Sequence, residues 1–261
     1  MTWIDGGEVL GRPGRRTAGL AVLLASLAAC AVGPGDGSGG IESPSAAVPL
    51  SGAELGSVGP PIATIPVDPA VRHGRLDNGL SYYLLENGSP GGSLELRLAV
   101  RVGSLEQRVA GDGVAHFLEH MLFNGTETFP GNQLGRVLQG LGVEFGSDLN
   151  AYTSCEATVY QLWVPTTAPG AVEVAFDVLD QWATAATLEP AAVEAERGVV
   201  LNEYQSKGTV EGIITDHFDR VYTQGTVYEG CDPIGTRDAI ETLVTSELRD
   251  FYDHWYRPDL M

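Results

Sequence analysis

Ala115-His116-Phe117-Leu118-Glu119-His120-Met121 is the stretch around which the rest of the chain is read. In a helix, residues four apart share one face, so His116 and His120 stand one turn apart with Glu119 beside them. Two imidazoles and a neighbouring carboxylate form half of a zinc site, with Glu119 placed to act on a metal-bound water. Phe117 points away from that face and reads as a packing residue. The competing reading is a solvated helix that carries two histidines by chance. A third ligand elsewhere in the chain decides between them.

Outward from this helix, Asp112 suits an N-cap, and Asn124-Gly125 suits a stop. Before it, Leu94, Leu96, Leu98 and Val100 alternate with Glu95, Arg97, Ala99 and Arg101, the pattern of a strand with one buried face. Earlier still, Asn78-Gly79 lies between strand-like runs and predicts a hairpin whose second arm is 81–85. After the helix, the sequence predicts a short helix over 133–141, strands over 144–153 and 157–165, and a helix over 169–185. Pro190 opens the next helix, which runs through Glu196 and Glu203 to about Gln205, and two more follow near 210–222 and 246–256.

The first 66 residues differ in composition from the rest. Arg12, Arg15 and Arg16 precede an apolar run from Ala18 to Ala29, too short to span a bilayer and typical of a secretory signal. The run ends Leu27-Ala28-Ala29-Cys30, which resembles a bacterial lipobox and points to Cys30 as the lipidation site of a membrane-anchored, periplasmic or outer-membrane protein; the alternative is an ordinary signal peptide cut near Ala29, with Cys30 a bystander. The domain reading is therefore a leader at 1–30, a Gly/Ser/Pro-rich tether at 31–66, and a folded domain at 67–261.

Of the 261 residues, 34 are acidic and 15 basic, a net charge of −19 that excludes nucleic acid as a partner. Three cysteines exclude a disulfide scaffold, although Cys155 and Cys231 could pair in an oxidising compartment. His73, His217 and His254 have no companions at ligand spacing and read as surface or packing residues.

The third ligand is acidic. Glu196 and Glu203 are seven residues apart, hence on the same face of one helix, and spacing leaves either of them, or a plain acidic stripe, open. Several ordered stretches narrow the choice. They are Asp77-Asn78-Gly79-Leu80, the block from Gly113 to Thr126, the block from Gly146 to Ser154, Thr158-Val159-Tyr160, the block from Glu196 to Glu203, and Trp255-Tyr256-Arg257-Pro258. Through them the chain from about Arg75 to Met261 resembles the N-terminal domain of the pitrilysin/insulinase family of zinc peptidases, which carry His-x-x-Glu-His. The branch it resembles is that of mitochondrial processing peptidase and its bacterial relatives.

The resemblance implies an α+β fold, a mostly antiparallel sheet with helices packed on one face, incomplete at the C-terminus. It implies one Zn²⁺ per domain, held by His116, His120 and Glu203, with Glu119 as general base and Glu196 as a supporting acid. The gap from His120 alone would favour Glu196; the last Glu of the Glu-Arg block favours Glu203. Asn150 and Ala151 match the strand that binds peptide substrate in the family by β-augmentation. The implied activity is metalloendopeptidase action on short or unfolded peptides, completed by a second family domain or a partner subunit. The alternative is a non-catalytic scaffold or partner subunit of the same family, against which stands the intact motif.

Overall fold

A computed structural model describes residues 66–89, 91–109 and 111–261. The leader with Cys30, and all of the tether but Pro66, lie outside the described residues. The described residues belong to a compact unit bounded by Thr64 and Met261, and no described helix is long and apolar enough to cross a membrane.

The central sheet has three antiparallel strands, β3 (Ser93–Val100), β4 (Leu149–Thr153) and β5 (Thr158–Pro165), in the order β3-β5-β4. Register places Leu94, Leu96, Leu98 and Val100 opposite Val164, Leu162, Tyr160 and Thr158. Directly opposed residues share a face, so the alternation along β3 becomes one apolar face. The other face is solvated and carries the Glu95–Arg97 ion pair. A separate hairpin, β1 (Arg72–Arg75) with β2 (Ser81–Leu84), turns at Asn78, whose Oδ1 accepts from the Leu80 N–H.

Among the described residues seven helices follow the expected order with one addition: α1 (Val114–Met121), α2 (Gln133–Gly140), α3 (Ala171–Thr184), α4 (Pro190–Tyr204), α5 (Val210–Thr223), α6 (Arg237–Thr242) and α7 (Thr245–Trp255). α1 and α3 pack on the apolar face of the sheet. Tyr160 meets Trp182 of α3 with ring centres 5.2 Å apart, and Phe123, just past α1, at 6.1 Å. The Trp182 indole N–H donates to the Leu122 carbonyl, and the Tyr160 and Tyr256 hydroxyls are bonded at 2.6 Å. Each buried polar tip in this aromatic cluster therefore finds a partner, as burial requires. The fold is α+β with its helices on one face.

Three expectations change. The strand predicted from residue 144 begins at Leu149, because Glu144–Asp148 is a tight turn. In it the Asp148 and Leu149 N–H groups both donate to the Glu144 carbonyl, and Gly146 takes φ +87°, a conformation closed to strands. The N-cap of α1 is Gly113, in the left-handed region at φ +73°, and not Asp112. A Cβ at Gly113 would sit 2.8 Å from the Ile234 carbonyl oxygen, so only glycine fits there. Asp112 still contributes, accepting from the Val114 N–H at 3.1 Å. The addition is α6, whose six residues are too few to show an apolar period; Thr236 caps it by accepting from the Ala239 N–H.

Cys155 and Cys231, 76 residues apart in sequence, are joined in a disulfide with Cα atoms 5.8 Å apart. It fastens the β4–β5 turn to the segment between α5 and α6.

Candidate metal centre

The centre is built from α1 outward. Seven of the eight residues of α1 are buried, including Phe117, which is 1% exposed and packs in the core. With the helix fixed in rotation by that packing, His116 and His120 share one flank, ring centres 4.7 Å apart. The facing helix is α4. Its Arg197 guanidinium lies 5.9 Å from the centre of the Phe117 ring and donates to the Ile240 and Leu243 carbonyls, the latter at 2.8 Å. α6 thus holds α4 through a residue that sequence reasoning passed over.

Glu203 sits between the two imidazoles. Its Oε1 is 3.5 Å from His116 Nε2 and its Oε2 is 3.2 Å from His120 Nε2. One ligand atom from each of His116, His120 and Glu203 lies within 4.8 Å of the other two. Glu196 stands behind them: its Oε1 is 2.8 Å from His120 Nδ1, and its Oε2 accepts from Asn124 Nδ2 at 2.7 Å. Asn124, read from sequence only as a helix stop, also donates to the His120 carbonyl at 3.3 Å. Glu119 is buried, and Thr153 Oγ1 donates to its Oε2 at 2.6 Å. Nothing in the local sequence marks Thr153; only the register of β4 brings it there.

The charges at this centre depend on one another. Burial raises the Glu119 pKa, opposed by the bond from Thr153 and by the two histidines. Burial disfavours a charged His120, yet its bonds to Glu196 and Glu203 outweigh this and push its pKa up to about 9. Hydrogen bonds from His116 and then His120 hold the Glu203 carboxyl far below the usual range, against the effect of its own burial. A proton on His120 therefore stands where a cation would.

The donor set fits zinc. Two imidazole nitrogens and one carboxylate are ligands of a catalytic zinc site. A carboxylate on the remote nitrogen of a ligand histidine, as Glu196 is on His120, fixes the tautomer and leaves the other nitrogen free to ligate. His116 Nδ1 is buried with no hydrogen-bond partner among the described residues.

Asn150 and Ala151 lie on β4, at the edge of the sheet. The Ala151 N–H is satisfied by Asn150 Oδ1 at 2.9 Å and not by β5. A cleft of about 490 Å³ joins them to Glu119, His120 and Glu196, with α2 as its far wall. A larger cleft of about 700 Å³ between α7 and the Glu106–Asp112 segment shares no residue with the metal cluster.

A sheet with helices on one face and a two-histidine, one-glutamate cluster shared by α1 and α4 defines the class: an α+β domain with a candidate metal centre. Residues 82–218 match the model of Insulinase (Peptidase family M16), and the chain belongs to that family. It is 38% identical over 201 residues to "Probable zinc protease PqqL" of Haemophilus influenzae, an alignment covering 77% of this chain and 22% of that protein. It is 32% identical over 200 residues to the β subunit of the mitochondrial processing peptidase of Saccharomyces cerevisiae, covering 74% of this chain and 40% of the subunit. The crystal structure of the periplasmic protease PqqL from Escherichia coli superposes with a TM-score of 0.73 at 37% identity, covering 76% of this chain and 22% of that one. The chain thus spans about a fifth of the length of its PqqL relatives.

Proposed function

We propose that this chain carries the metal-binding half of a zinc endopeptidase acting on short or unfolded peptides. The observation that supports it most directly is the convergence of His116, His120 and Glu203 within 4.8 Å beside Glu119. His116 Nε2, His120 Nε2 and the Glu203 carboxylate would hold the metal. When bound, zinc supplies Lewis acidity, lowering the pKa of a coordinated water and polarising the scissile carbonyl.

The chain's residues do the rest. Glu119 accepts a proton from the attacking water and returns it to the leaving amine; its burial raises the pKa toward a value suited to that exchange. Thr153 holds Oε2 of Glu119 and leaves Oε1 for the proton. Glu196, itself held by Asn124, keeps the proton of His120 on Nδ1 and orients the ring. The outward-facing Ala151 N–H, released by Asn150 Oδ1, offers a peptide one bond of an added strand. The Cys155–Cys231 disulfide suits the oxidising compartment that a leader at 1–30, lipidation at Cys30 and the periplasmic location of the E. coli relative all favour. A tether over 31–66 would hold the domain away from the membrane. A second family domain or a partner subunit would close over the cleft.

The test is Glu119→Gln in the zinc-loaded protein, with zinc content and peptide cleavage both measured. We expect zinc to be retained and cleavage to fall by about 10²–10⁴-fold. A variant that binds zinc and cleaves as well as the parent overturns the assignment.

A further inference from the structure

The metal-side cleft has two walls of different make-up. Glu119, His120 and Glu196 line one, while the other is α2 with its N-cap Asn132 and the side chains of Arg136 and Gln139. These three recur at helical spacing, at i, i+4 and i+7, and each brings N–H donors to the same wall. Arg136 is the one cationic side chain in that lining apart from what His120 carries. No carboxylate among the described residues pairs with it. In a chain of net charge −19, with carboxylates available on most surfaces, an arginine left without one in a cleft is open to a carboxylate from outside.

The Cε2–Cζ edge of the Phe145 ring rests against α2, where a Cβ at Gly135 would come within 2.9 Å of it. Arg136 itself is exposed, so it offers an accessible ion pair of modest strength. Guanidinium binds carboxylate through two parallel N–H bonds, a geometry that a neutral amide cannot reproduce.

We propose that Arg136 is a specificity-determining residue that selects peptides bearing a carboxylate on the α2 side of the scissile bond. This rests on the peptidase reading, since it takes the cleft to hold the peptide. The carboxylate has two sources, an Asp or Glu side chain or the peptide's own C-terminus, and they separate experimentally.

The experiment uses the zinc-loaded full chain and short dye-labelled peptides in which Asp or Asn is walked through each position, every peptide made as free acid and as C-terminal amide. Binding is followed by fluorescence anisotropy, and cleavage in the same mixtures by mass. We expect one position, or the free C-terminus, to bind about fivefold tighter as the acid than as the amide. Arg136→Gln abolishes that ratio, Arg136→Lys keeps part of it, and Arg136→Glu reverses it toward a Lys-bearing peptide. Absence of any acid preference, or a preference that survives Arg136→Gln, overturns the proposal. Arg136-dependent preference without cleavage sustains it while defeating the peptidase reading; cleavage without the preference does the reverse. No binding by any peptide defeats both.

Discussion

α1 and α5 are both amphipathic helices, and the fold treats them in opposite ways. α1 buries seven of its eight residues against the sheet, α4 and α7. α5 buries none, and Ile213, Ile214, Phe218 and Val221, spaced along one flank, are each more than half exposed. The histidine-bearing helix is held by the core, so its two histidines keep a fixed separation. The α5 segment is held instead by a few discrete ties: the Cys155–Cys231 disulfide, the Lys207–Asp232 ion pair and the Tyr228–Glu156 hydrogen bond. Chemistry that needs ligands in register belongs on the first kind of helix.

The largest expected difference is in the core. Phe117→Ala should cost about 3–5 kcal/mol, because the cavity it leaves is lined by α4 and by the Arg197 contact. Phe218→Ala on α5 should change stability by no more than about 0.5 kcal/mol. Urea melts of the two variants check this, and equal losses would break the comparison. Reducing the disulfide comes next, at about 2–4 kcal/mol for a tie across so long a loop. Hydrogen exchange should then quicken throughout α5 while the amides of α1 stay protected; equal quickening in both helices would show that the two regions unfold as one.

A finer effect concerns α1 alone. On the proposed assignment zinc replaces the proton on His120, so zinc affinity should rise roughly tenfold per pH unit from 6.5 to about 9. The metal-free protein should show the opposite trend. A histidine whose folded pKa is raised contributes its stabilisation in full below its unfolded value of 6.5 and loses it as pH rises through about 9. Zinc competition titrations and thermal melts of the metal-free chain over that range test both. A flat zinc affinity would mean that His120 is not the residue whose proton the metal replaces.

Much of this was legible in the chain itself. The spacing of His116, Glu119 and His120 specifies one face of a helix wherever that helix lies, because the period of an α-helix is local. The alternation from Leu94 to Arg101 likewise specified a one-faced strand, and Pro190 marked the start of α4. Distances between segments were not legible. Spacing left Glu196 and Glu203 open, and it is the angle at which α4 meets α1 that brings Glu203 against both Nε2 atoms and Glu196 against His120 Nδ1. Thr153 reaches Glu119 only through the register of β4 on β5, and Cys155 finds Cys231 only because α5 returns the chain to the β4–β5 turn. What the sequence by itself determined is the set of groups able to bind metal and move a proton. What the tertiary structure decided is which of them meet, since contacts between residues far apart in the chain depend on the packing of whole helices and strands.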